Sequence, residues 1–278
     1  MTTSYDWRGD IGDVWAEEWR RTDRTLAAVN DALVAEAAAG GGGKLRILDI
    51  GCGAGATSLA LAEALGEAEI IGIDLSNSLV AAARERAGTN SRLRFETADA
   101  AIWSPAEAGF DLIVSRHGVM FFEDPVAAFR HFHDLARPGG RLVFSCFRDR
   151  RENEWVHAFR PLVARFAPET LAQPEPAAGP FALADPARIE SILGAAGFAA
   201  PRLAPLDFRF TVGAGEDPIA DAVGYFRRIG PLASLLKTLD GPARQAAIDM
   251  LAGIAAEHVA DGRVVVGGAA WLVASARP

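Results

Sequence analysis

The chain has 278 residues, half of them apolar, with a formal charge of -8. That is enough apolar surface to bury a substantial core, which excludes a disordered chain. The acidic balance, with 28 dispersed Lys and Arg residues, excludes the basic footprint of a nucleic-acid binder.

No stretch approaches 18 uninterrupted apolar residues, and the first residues lack a charged region followed by an apolar one, so a soluble cytoplasmic protein without a membrane span is predicted. The two cysteines, Cys52 and Cys146, show neither paired spacing nor a ligand cluster, and no metal site is expected. Oligomeric state leaves no signal in the sequence.

In chain order, residues 1–43 read as an N-terminal helical cover. Trp15, Trp19, Thr22, Leu26, Val29 and Leu33 recur at steps of three and four and mark one helical face. Residues 44–147 then alternate β-rich runs, LRILDI (45–50), AEIIGIDL (68–75), RLRFETAD (92–99), FDLIVSRH (110–117) and RLVFSCF (141–147), with helical patterns at 56–65, 77–87 and 125–136. Such alternation predicts a Rossmann-like α/β fold, a mostly parallel sheet with helices on both faces. The helix at 125–136 stops at Arg137-Pro138-Gly139-Gly140.

Residues 148–212 read as a lid segment, a helix at 185–198 and a sixth strand at 202–212. Pro161 is expected to divide the helical stretch NEWVHAFRPLVARF, and four prolines fill 168–180. Residues 213–263 form a helical insertion that caps the sheet, and 264–278 return to it as the seventh strand.

The stretch ILDIGCGAGATSLAL (47–61) ends a strand in glycines and opens a helix. Its exposed backbone N–H groups suit a nucleotide-like ligand. Gly51, Gly53 and Ala56 also fit the dinucleotide fingerprint, with Asp74 where a ribose-binding acid belongs, so a nicotinamide or flavin oxidoreductase is one reading. Asp49, two residues before Gly51, favours instead a ligand with a cationic end. Asp49, Asp74 and Asp99 fall at the carboxyl ends of successive strands.

LDIGCGAG, IIGIDLS, ETADA and LARPGGRLVF, in this order and spacing over roughly 44–147, resemble the class I S-adenosylmethionine-dependent methyltransferases. SRHGVMFFEDPVAAF is similar to the bacterial ubiquinone and menaquinone enzymes among them. The resemblance implies S-adenosyl-L-methionine as cofactor and a small-molecule methyl acceptor. It implies that Gly51, Cys52, Gly53 and Gly55 with Asp49 wrap the methionine part, that Asp74 binds the ribose hydroxyls and Leu75 packs on the adenine. Asp99 and Ala100 then face the adenine, and Ser115 and Arg116 pass near the methionine.

A sulfonium is already an activated electrophile, so such a protein mainly excludes water and aligns the acceptor. His117, at the end of the fourth strand, is the candidate general base. Trp15, Trp19, Phe121, Trp155 and Tyr225 are candidate acceptor-lining residues. A non-catalytic cofactor-binding regulator is the third reading.

Overall fold

The computed structural model describes residues 7–107, 109–172 and 177–278; the remainder of the proline-rich stretch, 173–176, lies outside them. Eight strands form one sheet: β1 (Arg46–Ile50), β2 (Glu69–Asp74), β3 (Leu93–Thr97), β4 (Phe110–Arg116), β5 (Ala136–Phe147), β6 (Arg202–Gly213), the two-residue β7 (Val259–Ala260) and β8 (Arg263–Ala276). The order is β3-β2-β1-β4-β5-β8-β6, with β7 paired to β8. The first five are parallel, and β8 runs antiparallel to both β5 and β6. The seven expected strands are thus present, with β7 as an addition too short to leave a periodic signal.

Side chains alternate between the two faces, as strand geometry requires. Leu48, Ile113, Leu142 and Phe144 join Phe129 and Phe132 of the helix Pro125–Leu135 and Ile189 and Leu193 of the helix Pro186–Ala196. Their neighbours Ile47, Leu112, Val114 and Val143 face Leu33 of the helix Ala27–Ala38 and Leu61 of the helix Ala56–Ala64. Helix starts are set by side-chain caps: Ser76 accepts from Leu79 N, Asp124 from Ala127 N and Asp185 from Ala187 N.

Two features depart from the sequence reading. The Pro-Gly-Gly stop does end its helix, at Leu135, but residues 136–140 then join β5 through a bulge, with Gly139 at φ 75°. The lid segment divides at Phe159, just before Pro161, as expected. Its buried Phe159 and Leu162 share one cluster with Leu232, Leu236 and Leu251 of the insertion. The insertion holds three helices, Pro218–Phe226, Pro231–Thr238 and Gly241–Glu257, the middle one unforeseen.

The N-terminal face is split into Asp10–Glu17, Trp19–Thr25 and Ala27–Ala38. Helical hydrogen bonds cross both junctions, from Thr22 N to Glu18 O at 3.0 Å and from Asn30 N to Leu26 O at 2.9 Å. Asp221 of the insertion binds this element through Arg21 and Arg24, at 2.8 and 2.7 Å. No helix among the described residues is long and apolar enough to cross a membrane.

Candidate functional site

The strand order reverses between β1 and β4, and open α/β sheets bind ligands beyond the carboxyl ends of strands at such a point. β1 ends there in the glycine loop, with Gly51, Gly53 and Gly55 all at positive φ (65°, 54° and 83°). A Cβ on Gly51 would meet the Gly118 backbone at 3.2 Å, and one on Gly55 would meet Ala83 and Phe95 at 3.1 Å. A Cβ on Gly53 would meet nothing within 4 Å. Gly55 therefore serves loop packing, whereas Gly53 leaves open space where a side chain would stand.

Asp49 is buried, its Oδ2 accepting from Ser58 Oγ at 2.6 Å while Oδ1 has no partner. Burial pushes its carboxyl up to about 6, against the pull of the Ser58 hydrogen bond and of Arg116. Arg116 is held 3.6 Å from Asp23 through Nη2, but its Nη1 is buried without a partner. Burial pulls this guanidinium below its ordinary range, opposed by Asp23 and Asp49.

His117 completes the group. It takes a left-handed backbone, φ 60°, with Nδ1 2.6 Å from Ser145 Oγ and Nε2 buried and unpartnered. Burial first, and then Arg116, lower its imidazole to about 3, so the ring is neutral throughout the physiological range. Three of the five unpartnered buried side-chain polar atoms among the described residues thus lie on β1 and the end of β4. Native proteins rarely leave such atoms unmatched except where a ligand or water completes them.

The ends of β2 and β3 differ. Both oxygens of Asp74 are engaged by backbone N–H groups, of Gly53 and of Ser76, each at 2.9 Å. Burial raises its carboxyl, and these two hydrogen bonds oppose the rise. Asp99 accepts from Ala101 N at 3.0 Å and from Arg8 at 3.4 Å. The N-terminal element lies directly on this end: a Cβ on Gly12 would stand 2.4 Å from Ser76 Oγ, and Asp13 accepts a hydrogen bond from Ser78. Leu75 is half-buried and Ala100 is buried between these two strand ends.

Several sequence candidates turn away from the ligand side. The Cys52 side chain packs with Val80, Ala83 and Phe95, leaving only its backbone to the loop. Ser115 is fully buried, and its hydroxyl donates to Ile50 O at 2.8 Å, tying β4 to β1. Tyr225 is core: burial raises its hydroxyl's pKa, and that hydroxyl faces Thr22 and Thr25. The Trp19 ring is stacked by the Arg86 and Arg20 guanidiniums at 3.8 and 4.4 Å, apart from Trp15. By contrast, the rings of Trp15 and Phe121 both sit 5.5 Å from that of Trp7, linking the N-terminal helix to the end of β4. Trp155 stacks on Phe181 at 5.7 Å, and both contact Phe147, whose ring is 4.2 Å from His117.

Four contributors were not foreseen from the sequence: Ser58, Asp23, Arg86 and Ser145. Arg86 donates to Ala54 O at 2.6 Å and to Asp23 at 2.7 Å, so the cover, the helix Asn77–Ala87 and the glycine loop are one network. Asp23 and Arg86 look like ordinary exposed helix residues, and their pairing is purely tertiary. Ser145, a small polar residue within the apolar run LVFSCF, carried a readable signal, since a polar side chain at a buried position calls for a partner.

Residues 47–140 match the family model described as a methyltransferase domain. Phosphoethanolamine N-methyltransferase 1 of Triticum aestivum is 39% identical over 101 residues, covering 36% of this chain and 20% of that protein. The ubiquinone biosynthesis O-methyltransferase of Ruegeria pomeroyi is 40% identical over 106 residues, covering 36% of this chain and 40% of that one. The chain therefore spans well under half the length of these curated relatives. Phosphoethanolamine N-methyltransferase 2 of Haemonchus contortus, solved with phosphomonomethylethanolamine and S-adenosylhomocysteine, superposes with a TM-score of 0.56. That pair is 16% identical and covers 97% of this chain and 60% of that one, a likeness of fold.

Proposed function

We propose, from the premise that the chain carries a class I methyltransferase domain over residues 47–140, that it transfers a methyl group from S-adenosyl-L-methionine to a small, partly apolar or aromatic molecule. The observation that carries the proposal is the pair of unmatched buried charges beside the glycine loop. Asp49 Oδ1 lacks a donor and Arg116 Nη1 lacks an acceptor. A ligand end bearing both an ammonium and a carboxylate satisfies the two at once, and a pyrophosphate satisfies only one while meeting the repulsion of Asp49.

The residues at hand fit this cofactor. Asp49 and Arg116 would hold its amino-acid end, the Gly51–Gly55 backbone would line its path, Asp74 would receive the ribose hydroxyls, and Leu75, Asp99 and Ala100 would border the adenine. When bound, it supplies a methyl group on a cationic sulfur, already activated toward displacement. The chain's task is then to orient and to dry the site. Phe147 packs its ring 4.2 Å from His117 and is backed by Trp155 and Phe181, while Trp7 joins Trp15 of the cover to Phe121 just beyond β4; such apolar surface would help to exclude water from the reacting atoms.

Calorimetry of the full chain against S-adenosylmethionine, S-adenosylhomocysteine and NADH tests the reading. Binding of the first two is expected; binding of NADH alone selects the oxidoreductase reading. Mass spectrometry of a cell extract incubated with the protein and methyl-labelled cofactor is expected to reveal one labelled small molecule. Cofactor binding without any labelled product selects a regulatory role.

A further inference from the structure

His117 is held at two points by one residue. Its backbone N–H donates to Ser145 O at 3.1 Å, and its Nδ1 lies 2.6 Å from Ser145 Oγ. Ser145 is fully buried on β5, where its Cα pairs with that of Arg116, the residue before His117. Among the described residues its hydroxyl has no hydrogen-bond partner other than this ring nitrogen.

That isolation decides where the ring carries its proton. If Nδ1 carried the proton it would donate to Oγ or to the Ser145 carbonyl, which faces the ring and favours its protonation, but in either case the serine proton would be buried without an acceptor, and unmatched buried donors are costly. If the serine donates to Nδ1, every proton of the pair is accounted for, and the imidazole proton is on Nε2. Nε2 is the buried atom without a partner; the Phe147 ring, itself in contact with Trp155 and Phe181, lies 4.2 Å from the imidazole, and the Arg116 charge acts on it.

We infer that Ser145 is a positioning residue that fixes His117 as an Nε2–H donor, and that this donor meets an anionic oxygen on an apolar or aromatic acid that serves as the methyl acceptor. The acceptor half rests on the methyl-transfer reading; the tautomer half does not. An ionised oxygen uses one lone pair for the hydrogen bond and another for the new bond to the methyl carbon, as the carbon–sulfur electron pair leaves with sulfur. No proton is lost, and none has to be taken up. A neutral alcohol would lose a proton in the same step, and an Nε2–H imidazole has no lone pair to receive it. The depressed basicity of the ring, about 3, agrees with a donor that never charges near neutral pH.

The test is long-range proton–nitrogen correlation spectroscopy on the full chain labelled with ¹⁵N-histidine, with His117→Gln assigning the signals. A pyrrole-type Nε2 and a pyridine-type Nδ1, unmoved between pH 5 and 8, are expected. Ser145→Ala is expected to give a tautomer mixture, and Ser145→Thr, which keeps the hydroxyl, to restore the pattern. A protonated Nδ1 in the unsubstituted protein overturns the assignment, as does a Ser145→Ala pattern identical to the original. Should Ser145→Ala fail to fold, the unsubstituted and Ser145→Thr spectra decide alone.

For the acceptor half, benzoate and benzyl alcohol are titrated against the same signals in the presence of S-adenosylhomocysteine. Benzoate is expected to shift the Nε2–H signal and to bind at least roughly tenfold more tightly, as loss of a charge-assisted hydrogen bond predicts. Equal binding, or a His117 signal untouched by benzoate, overturns it. Failure of the cofactor to bind in calorimetry, with the tautomer intact, would instead remove the methyl-transfer reading and leave the Ser145–His117 pair standing.

Discussion

The two halves of the candidate cofactor site present opposite faces to a ligand. At the ends of β1 and β4 the polar atoms are buried and unmatched: Asp49 Oδ1, Arg116 Nη1 and His117 Nε2. At the ends of β2 and β3 the acids are already in use, Asp74 by the Gly53 and Ser76 N–H groups and Asp99 by Ala101 and Arg8. One half awaits a ligand with its charges in place. The other spends part of its acceptor capacity on holding the glycine loop and the N-terminal cover, and a carboxylate retains lone pairs for two hydroxyls beyond those bonds. The amino-acid half is thus expected to govern affinity and its pH dependence, and the nucleoside half to couple affinity to the loop and cover.

The sharpest way to break this contrast is Asp49→Ala. It leaves Arg116 facing an ammonium without its counter-charge, and breaking a buried charge pair is worth about 3 to 5 kcal/mol. Affinity for S-adenosylmethionine should fall by roughly 10² to 10³, while 5′-methylthioadenosine, which lacks the amino-acid end, should bind unchanged. Asp49 must ionise to meet the ammonium, and its carboxyl stands near 6 in the free protein. Affinity should therefore rise with pH by up to about tenfold per unit below 6 and level off above it. Asp49→Asn should flatten that slope in calorimetry at pH 5 and 7. Equal losses for both ligands would dissolve the division between the halves.

The next largest effect concerns stability. His117 titrates near 3 in the folded chain against an ordinary 6.5, so between these values the unfolded chain binds more protons. Its contribution is complete above pH 6.5 and is lost as pH falls toward 3. Asp49 acts in the opposite sense: with its folded value raised to about 6, its contribution is present below the ordinary carboxylate range and is lost as pH rises through 6. Between pH 6.5 and 4 the His117 loss, roughly 3 kcal/mol, is mostly offset by an Asp49 gain of roughly 2 kcal/mol, so the free protein should lose only about 1 kcal/mol from the pair. Urea unfolding at these two pH values should show a gain in stability in His117→Gln, which keeps only the Asp49 contribution, and a loss of roughly 3 kcal/mol in Asp49→Asn, which keeps only that of His117.

Much of the β1 to β5 architecture was legible because each device is local. The alternating β-rich and helical runs state the strands and helices, GCGAG states a glycine loop between strand and helix, and Arg137-Pro138-Gly139-Gly140 states a helix end. The positions of Asp49, Asp74 and Asp99 followed from strand endings alone. What escaped was tertiary. Nothing local distinguishes Asp23 and Arg86 from solvated helix charges, or reveals that Tyr225 faces Thr22 and Thr25 across some 200 positions. An aromatic in a helical face reads the same whether it lines a site, as proposed for Trp15, or carries stacked arginines, as Trp19 does. The place of His117 at the end of β4 reads as that of a base. Its burial and its bond to Ser145, which turn it into a donor, depend on a residue 28 positions away.

Asp74→Asn sharpens the nucleoside half. The amide keeps one acceptor but sets an N–H₂ group against Gly53 N or Ser76 N, so loop order and ribose binding fall together. A roughly tenfold to hundredfold loss is expected. It should apply equally to S-adenosylmethionine and 5′-methylthioadenosine, measured in the same calorimeter, in contrast to Asp49→Ala. A loss confined to S-adenosylmethionine would return Asp74 to a purely structural role in the loop.

The smallest effect should come from Arg8→Ala, and its smallness is informative. The Arg8–Asp99 pair is long, 3.4 Å, and exposed, with 56% and 29% of the two side chains open to solvent. Such pairs contribute about 0 to 1 kcal/mol, so affinity should change by less than about fivefold. The cover is held more firmly elsewhere, by the close approach of Gly12 to Ser76 and by Arg86 clasping both Asp23 and Ala54 O. Whatever energy Arg8 contributes therefore acts at the outer edge of the cover, where it slows entry and exit alike. Stopped-flow measurements should show association and dissociation of S-adenosylmethionine speeding up together, with their ratio nearly constant. A change confined to dissociation would mean that Arg8 and Asp99 touch the ligand itself, and the nucleoside half would then be a preformed site like its counterpart at β1 and β4.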